Sequence, residues 1–124
     1  MTKQTIGGIG WRDLTCENAE GLRDFYEDVV GWQSSPVSMG DYNDFNMMDG
    51  EVNVVAGVCH GRGSNEGVPA QWMMDVIVAG LEASLRACES RGGACIGEIR
   101  SMGADRFAVI RDPAGACMAL YEEG

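Results

Sequence analysis

Residues 8–14, Gly-Ile-Gly-Trp-Arg-Asp-Leu, form a short strand-like run with Trp11 at its middle, and then the spacing of apolar residues changes. Ala19, Leu22, Phe25, Tyr26, Val29 and Val30 recur at intervals of three and four, the period of one helical face. Thr15, Glu17 and Asn18 are the available capping groups before that helix, and Gly31 is a natural left-handed stop after it. Residues 32–39 then read as extended, with Pro36 marking an edge strand or a bulge. Gly40-Asp41 turns the chain into a strand over 42–48, and Asp49-Gly50 predicts a tight hairpin into a strand over 51–59. The first half is therefore βαβββ.

A glycine-rich polar stretch, residues 60–70, reads as a linker and contains the only histidine, His60. Residues 71–78 are apolar and strand-like, and Leu81, Ser84, Leu85 and Cys88 share one helical face that stops at Gly92-Gly93. Residues 94–99 extend, 101–105 turn, and 106–111 form an alternating strand. Asp112-Pro113-Ala114-Gly115 turns again, and 117–122 closes the chain. The second half is again βαβββ. Shifting the numbering by 62 places Trp11 on Met73, Asp13 on Asp75, Leu14 on Val76 and Gly31 on Gly93. Neither half covers both faces of its sheet alone, so the two are expected to pair into one pseudo-symmetric unit. The chain is thus read as a single domain over 1–124, with module one at about 6–59 and module two at about 71–122.

At 124 residues there is room for a core without a metal or disulfide staple. Nine basic against nineteen acidic residues give a net charge of -10, and no basic stripe reverses that sign locally, which argues against a nucleic-acid partner. The five cysteines show no CxxC spacing and mostly lie in apolar runs, which reads as reduced thiols in a cytoplasmic protein. No apolar run reaches the roughly 20 residues of a membrane span, so a soluble protein with no membrane partner is expected.

Paired βαβββ modules of this length resemble the vicinal oxygen chelate superfamily of glyoxalase I, bleomycin and fosfomycin resistance proteins and extradiol dioxygenases. The residues that carry the resemblance are FYEDVVGW at 25–32, GVPAQW at 67–72, RGG at 91–93 and RFAVIRDPAGACMALYE at 106–122. The resemblance implies an α+β fold in which curved mixed sheets enclose a cavity. It also implies, for the enzymes, a divalent metal held by His, Glu or Gln at four strand positions. Carried onto this chain those positions are Trp11, Gly57 (with one position of slack in register), Met73 and Ala119. An indole only donates, a thioether is a soft weak ligand, and glycine and alanine offer no side-chain donor. The chain therefore resembles the non-metal members, and neither a metal nor another cofactor is expected.

Strand alternation names the residues expected to line the cavity. With Trp11 inward come Ile9 and Asp13; with Met73 come Asp75 and Ile77; with Ala119 come Cys117 and Tyr121; with Gly57 come Val55 and Cys59. Trp11, Met73, Cys59, Cys117 and Tyr121 are the candidate ligand contacts, in a mostly apolar lining of the usual small-molecule kind. Asp13 and Asp75 are the candidate catalytic pair, because two carboxylates in a partly dry site push each other's protonation apart into one acid and one base. The plainer alternative has each aspartate bonded to nearby backbone, and the resemblance favours it for Asp13. Trp11 either stacks on an aromatic ligand or fills the space a metal holds elsewhere. No histidine is placed to activate Cys59 or Cys117 as a nucleophile, since His60 follows Cys59 directly and adjacent strand residues point apart.

Three functions follow. The first is a metal-free protein that binds a small, partly apolar molecule. The second is an enzyme, either a metal-independent isomerase or lyase using Asp13 and Asp75 or a metal enzyme with a displaced oxygen-ligand site. The third is an accessory or regulatory dimer with a filled cavity. Glyoxalase I activity is not expected, because no basic clamp for glutathione is recognisable. The resemblance also implies self-association, most simply as a homodimer.

Overall fold

The computed structural model describes residues 3–124. Its eight strands and two helices fall into two compact units, one of residues 12–72 and one in which residues 3–11 join Met73–Gly124.

The first unit contains most of β1 (Ile9–Cys16), then α1 (Ala19–Val30), β2 (Gln33–Ser38), β3 (Asn43–Met48) and β4 (Val54–His60). The strands lie in the order β2-β3-β4-β1, with β1 and β4 parallel and the other pairs antiparallel. Asn18 starts α1, its side-chain oxygen accepting the Gly21 N–H at 3.1 Å. Gly31 ends it at φ 84°, where a β-carbon would be strained, and its N–H reaches the Glu27 carbonyl. Ala19 on the helix packs with Phe45, Met47, Ala56 and Val58 of the sheet, and Cys16, Leu22, Tyr26 and Trp32 close round them. Met47 and Val58 are fully buried, each contributing about 1.5–3 kcal/mol of apolar transfer. Tyr26 lies against both Trp32 and Trp72, and the Trp72 indole N–H donates to its hydroxyl at 3.0 Å.

Two expectations in this unit change. The predicted tight hairpin at Asp49-Gly50 is a five-residue loop, 49–53, because the Asp49 carboxylate accepts from the backbone N–H groups of Glu51 (2.9 Å) and Asn53 (3.0 Å). Val52, not Gly50, takes the positive φ there, at 64°, a left-handed conformation costly for a β-branched residue. The strand before it carries a register shift between Met47 and Met48. His60, read as linker, is instead the last residue of β4, with only a 3-10 turn at Gly63–Asn65 in the stretch that follows.

The second unit repeats the plan with β5 (Trp72–Ile77), α2 (Leu81–Ser90), β6 (Ala94–Met102), β7 (Asp105–Arg111) and β8 (Cys117–Glu122). Its order is β5-β8-β7-β6, and β5 and β8 are parallel. This matches the first unit strand for strand, so the repeat inferred from spacing is a repeat of topology. Residues 7 and 8 run beside β5, the Gly7 N–H donating to the Ile77 carbonyl (2.8 Å) and the Ile77 N–H to the Gly8 carbonyl (2.9 Å).

Gly80 gives α2 no side-chain cap, and the Glu122 carboxylate replaces it by accepting the Leu81 N–H at 2.8 Å. Arg106 forks onto both oxygens of Glu82 (2.7 and 2.9 Å) and reaches Glu122 at 2.8 Å. Leu81 packs with Ala108 and Leu120, backed by Leu85, Ile110 and Met118. β6 runs further than the expected residue 99, because a register shift between Ile96 and Arg100, with Gly97 at φ 77°, lets the strand bend and continue to Met102. Among the described residues no helix is long and apolar enough to cross a membrane.

Candidate functional site

In the first unit Cys16, Phe45, Ala56 and Val58 pack on the α1 side. Alternation sends their neighbours Asp13, Thr15, Gly57, Cys59, Asp44 and Asn46 to the opposite face. Asp13 pairs with Gly57 and Thr15 with Cys59, so Asp13 and Cys59 share a face as expected. Val55 does not join them. It packs toward the α1 cluster, next to the register shift that re-aims the strand. Burial is the main force on the Asp13 carboxyl and Asp44 the second, and together they push its pKa up to about 6. A carboxyl titrating there takes up and gives back a proton near neutral pH.

Asp44 is 6% exposed and His60 7%. The backbone N–H of His60 donates to Asp44 Oδ1 at 2.8 Å, and the ring Nδ1 lies 3.3 Å from the same oxygen. On the other side the ring Nε2 lies 2.9 Å from Glu20 Oε1, in the first turn of α1. That contact holds the Glu20 carboxyl below the usual carboxylate range. The Tyr42 ring meets the imidazole edge-on at 5.3 Å, and the Arg62 guanidinium stacks on Tyr42 at 4.0 Å.

In the second unit Asp75 pairs with Ala119 and Ile77 with Tyr121 across β5 and β8. Leu120 and Ala108 face α2, so Met73, Asp75, Ile77, Cys117, Ala119 and Tyr121 share the other face, as the sequence predicts. Met73, Ile77 and Ala119 are each 3% exposed or less, so this face is well filled at those positions. The Tyr121 hydroxyl donates to Asp105 Oδ2 at 2.5 Å, and burial, then that bond, raise its pKa. Asp13 opposite Gly57 and Asp75 opposite Ala119 hold the same place in their modules. On the α2 side a groove of about 360 Å³ runs between Ser84, Cys88, Arg91, Ile110, Asp112 and Leu120, none of them a predicted site residue.

Trp11 is half-buried on β1 while Ile9 is exposed. None of the five cysteines is in a disulfide, and burial raises the thiol pKa of Cys16 and Cys95, which lowers the fraction present as reactive thiolate. The sequence reading missed Asp44, Glu20 and His60. A carboxylate inside an apolar strand run and a lone histidine at the end of another were the available signals.

The pairing bears on the four positions to which the resemblance carries a metal site. Gly57 stands to β1 as Ala119 stands to β5, so the set is Trp11, Gly57, Met73 and Ala119. It offers one thioether and no imidazole or carboxylate, which does not fit a hard or borderline divalent ion. His60 does not substitute, since its ring is engaged by Asp44 and Glu20. Among the described residues no group of three or more His, Cys, Asp and Glu side chains is arranged to hold a metal.

A glyoxalase-like domain model matches residues 12–121. The anthracycline biosynthesis proteins DnrV of Streptomyces peucetius and DauV of Streptomyces sp. (strain C5) are 28% and 27% identical over alignments of 137 residues that take in the whole of this chain. The chain spans 50% of the length of each. In fold it is similar to methylmalonyl-CoA epimerase from Mycobacterium tuberculosis (TM-score 0.55, 16% identity, covering 100% of this chain and 93% of that one). It is similar also to a glyoxalase/bleomycin resistance protein/dioxygenase superfamily member from Vibrio splendidus 12B01 (TM-score 0.56, 13% identity, 91% and 97%). With a family match over nearly its whole length and the doubled βαβββ topology, the chain belongs to the glyoxalase-like domain family.

Proposed function

We propose that this chain binds a small, largely apolar molecule without a metal, and that its ligand is a polycyclic aromatic compound of the anthracycline kind. The observation that carries the reading is similarity to two anthracycline biosynthesis proteins along the whole chain. The donor set at the superfamily's metal positions is consistent with it, because Trp11 and Met73 suit an aromatic ring better than an ion. The candidate contacts are Trp11, Cys59, Met73, Cys117 and Tyr121. Titration of the protein into an anthracycline aglycone, followed by the fluorescence of the aglycone, is expected to saturate. Trp11→Ala is expected to weaken binding about tenfold or more, the loss of one stacked ring. A linear, non-saturating titration up to the solubility limit would overturn the reading.

One observation favours a second reading, a metal-independent isomerase or lyase. The Asp13 carboxyl, pushed up to about 6, is suited to general acid or base work near neutral pH, with Asp75 as its counterpart in the other module. The measurement is uptake of solvent deuterium at an acidic carbon of the bound compound. Uptake lost in both Asp13→Asn and Asp75→Asn supports the reading, and uptake unchanged in both excludes the pair. We further propose a homodimer, for which one light-scattering mass at micromolar concentration is decisive.

A further inference from the structure

We propose that His60 is a positioning residue for the Asp13 face: carrying a hydrogen on both ring nitrogens, it clamps Asp44 on one side and Glu20 on the other and thereby fixes the charge that Asp13 meets. The proposal rests on the acid–base reading of Asp13 and names the groups that govern it.

The argument is one of donors and acceptors. Both ring nitrogens of His60 lie within hydrogen-bond distance of carboxylate oxygens, Nε2 at 2.9 Å from Glu20 and Nδ1 at 3.3 Å from Asp44. An ionised carboxylate only accepts, and a neutral imidazole has one N–H and one lone pair. In the neutral ring, therefore, one contact sets lone pair against lone pair. With two N–H groups each contact becomes a charge-assisted hydrogen bond. The His60 side chain is 8% exposed and the Asp44 side chain 9%, so water does not take the place of the Asp44 contact. A buried carboxylate without a partner is strongly disfavoured, and His60 supplies Asp44 with two donors, the backbone N–H and Nδ1.

The charged and titratable groups round the ring come from every element that packs there. They are Glu20 on α1, Asp44 on β3, Tyr42 just before β3 with Arg62 stacked on it, and Cys16 beside His60 on β1. Arg62 is tied to Asp41, and Arg23 is tied to Asp24 and lies over the Phe45 ring, so neither guanidinium is engaged with Asp44. His60 is therefore the group placed to answer the Asp44 charge. Asp44 in turn acts on Asp13 from the same sheet face. Glu20 completes the chain of contacts, joining the solvent-facing first turn of α1 to the buried acid.

Because the chain has a single histidine, the test is direct. A long-range proton–nitrogen spectrum of the ¹⁵N-labelled full chain at pH 7 is expected to show both ring nitrogens protonated. One protonated and one bare nitrogen would overturn the proposal. A second arm follows the ¹³C signal of the Asp13 carboxyl with pH. Asp44→Asn removes a like charge and is expected to lower the Asp13 midpoint by about one pH unit, whereas His60→Gln leaves Asp44 unanswered and raises it by a similar amount. Opposite movements support the proposal, and a midpoint unmoved in both variants overturns it. A merely structural histidine gives no such opposed pair. If His60→Gln does not fold, the native-chain spectrum and Asp44→Asn still decide. If Asp13 in the native chain titrates as an ordinary carboxylate, the acid–base reading fails, and the ring spectrum still decides for or against the His60 clamp.

Discussion

At the scale of single residues, Asp13 carries a stability signature that can be signed. Its carboxyl is raised from 3.8 to about 6 by burial and by Asp44, so between those pH values the folded chain binds more protons than the unfolded one. Stability therefore falls as pH rises through that window, and the full penalty is present above it. Asp13→Asn is expected to stabilise the protein at pH 7.5 by up to about 3 kcal/mol, with the gain gone near pH 4. Urea unfolding of both proteins at the two pH values measures it, and an equal difference at both would count against the burial argument. Asp13 was legible because alternation from Trp11 fixes its face. His60 was not, since composition assigned it to the linker, and only its pairing with Cys16 across β1 and β4 shows that β4 continues through it. Asp44 was hidden for a related reason. A carboxylate flanked by Tyr42, Phe45 and Met47 reads as a solvent-side residue of an alternating strand until its partner is known.

At the scale of elements, the order of strands and helices was legible throughout, because helical and strand periods and the glycine stops differ clearly. What the sequence concealed were places where a side chain reaches across the chain. The 49–53 loop depends on one carboxylate collecting two backbone N–H groups, and β6 depends on a shift of register that no local pattern announces. The start of α2 is a third case, anchored by Glu122 and Arg106 from β8 and β7. Arg106 holds the Glu82 carboxyl at about 2, well below its usual 4.5. This group is stabilising when ionised, so its contribution is complete above about 4.5 and is lost as pH falls toward 2. Arg106→Gln is expected to lower the thermal midpoint at pH 7, and the difference from the native protein is expected to shrink as pH is taken down through that range. A difference independent of pH would show that Arg106 acts by packing alone.

For the whole molecule, two modules of one topology carry different residues at equivalent places. That explains how the fold was readable while the chemistry was not transferable from it. At the four positions to which the resemblance carries metal ligands, this chain has Trp11, Gly57, Met73 and Ala119. Elemental analysis of the purified protein is expected to find well under one equivalent of zinc, nickel, iron or manganese. A chelator is expected to leave the unfolding midpoint where it was. One tightly held equivalent would show that a displaced set of oxygen ligands exists.

The path of β1 has a bearing on how the protein could be divided. The strand starts in the unit that contains Met73–Gly124 and finishes in the other, so sequence module and compact unit do not share a boundary. Cutting at the glycine-rich stretch after His60 gives a second fragment without residues 7 and 8, and both backbone groups of Ile77 lose their partners there. A circular permutant joined through the old termini and opened between Trp72 and Met73 keeps that pairing intact. The natural seam of this protein is therefore not the glycine-rich stretch between its repeats but the middle of its first strand.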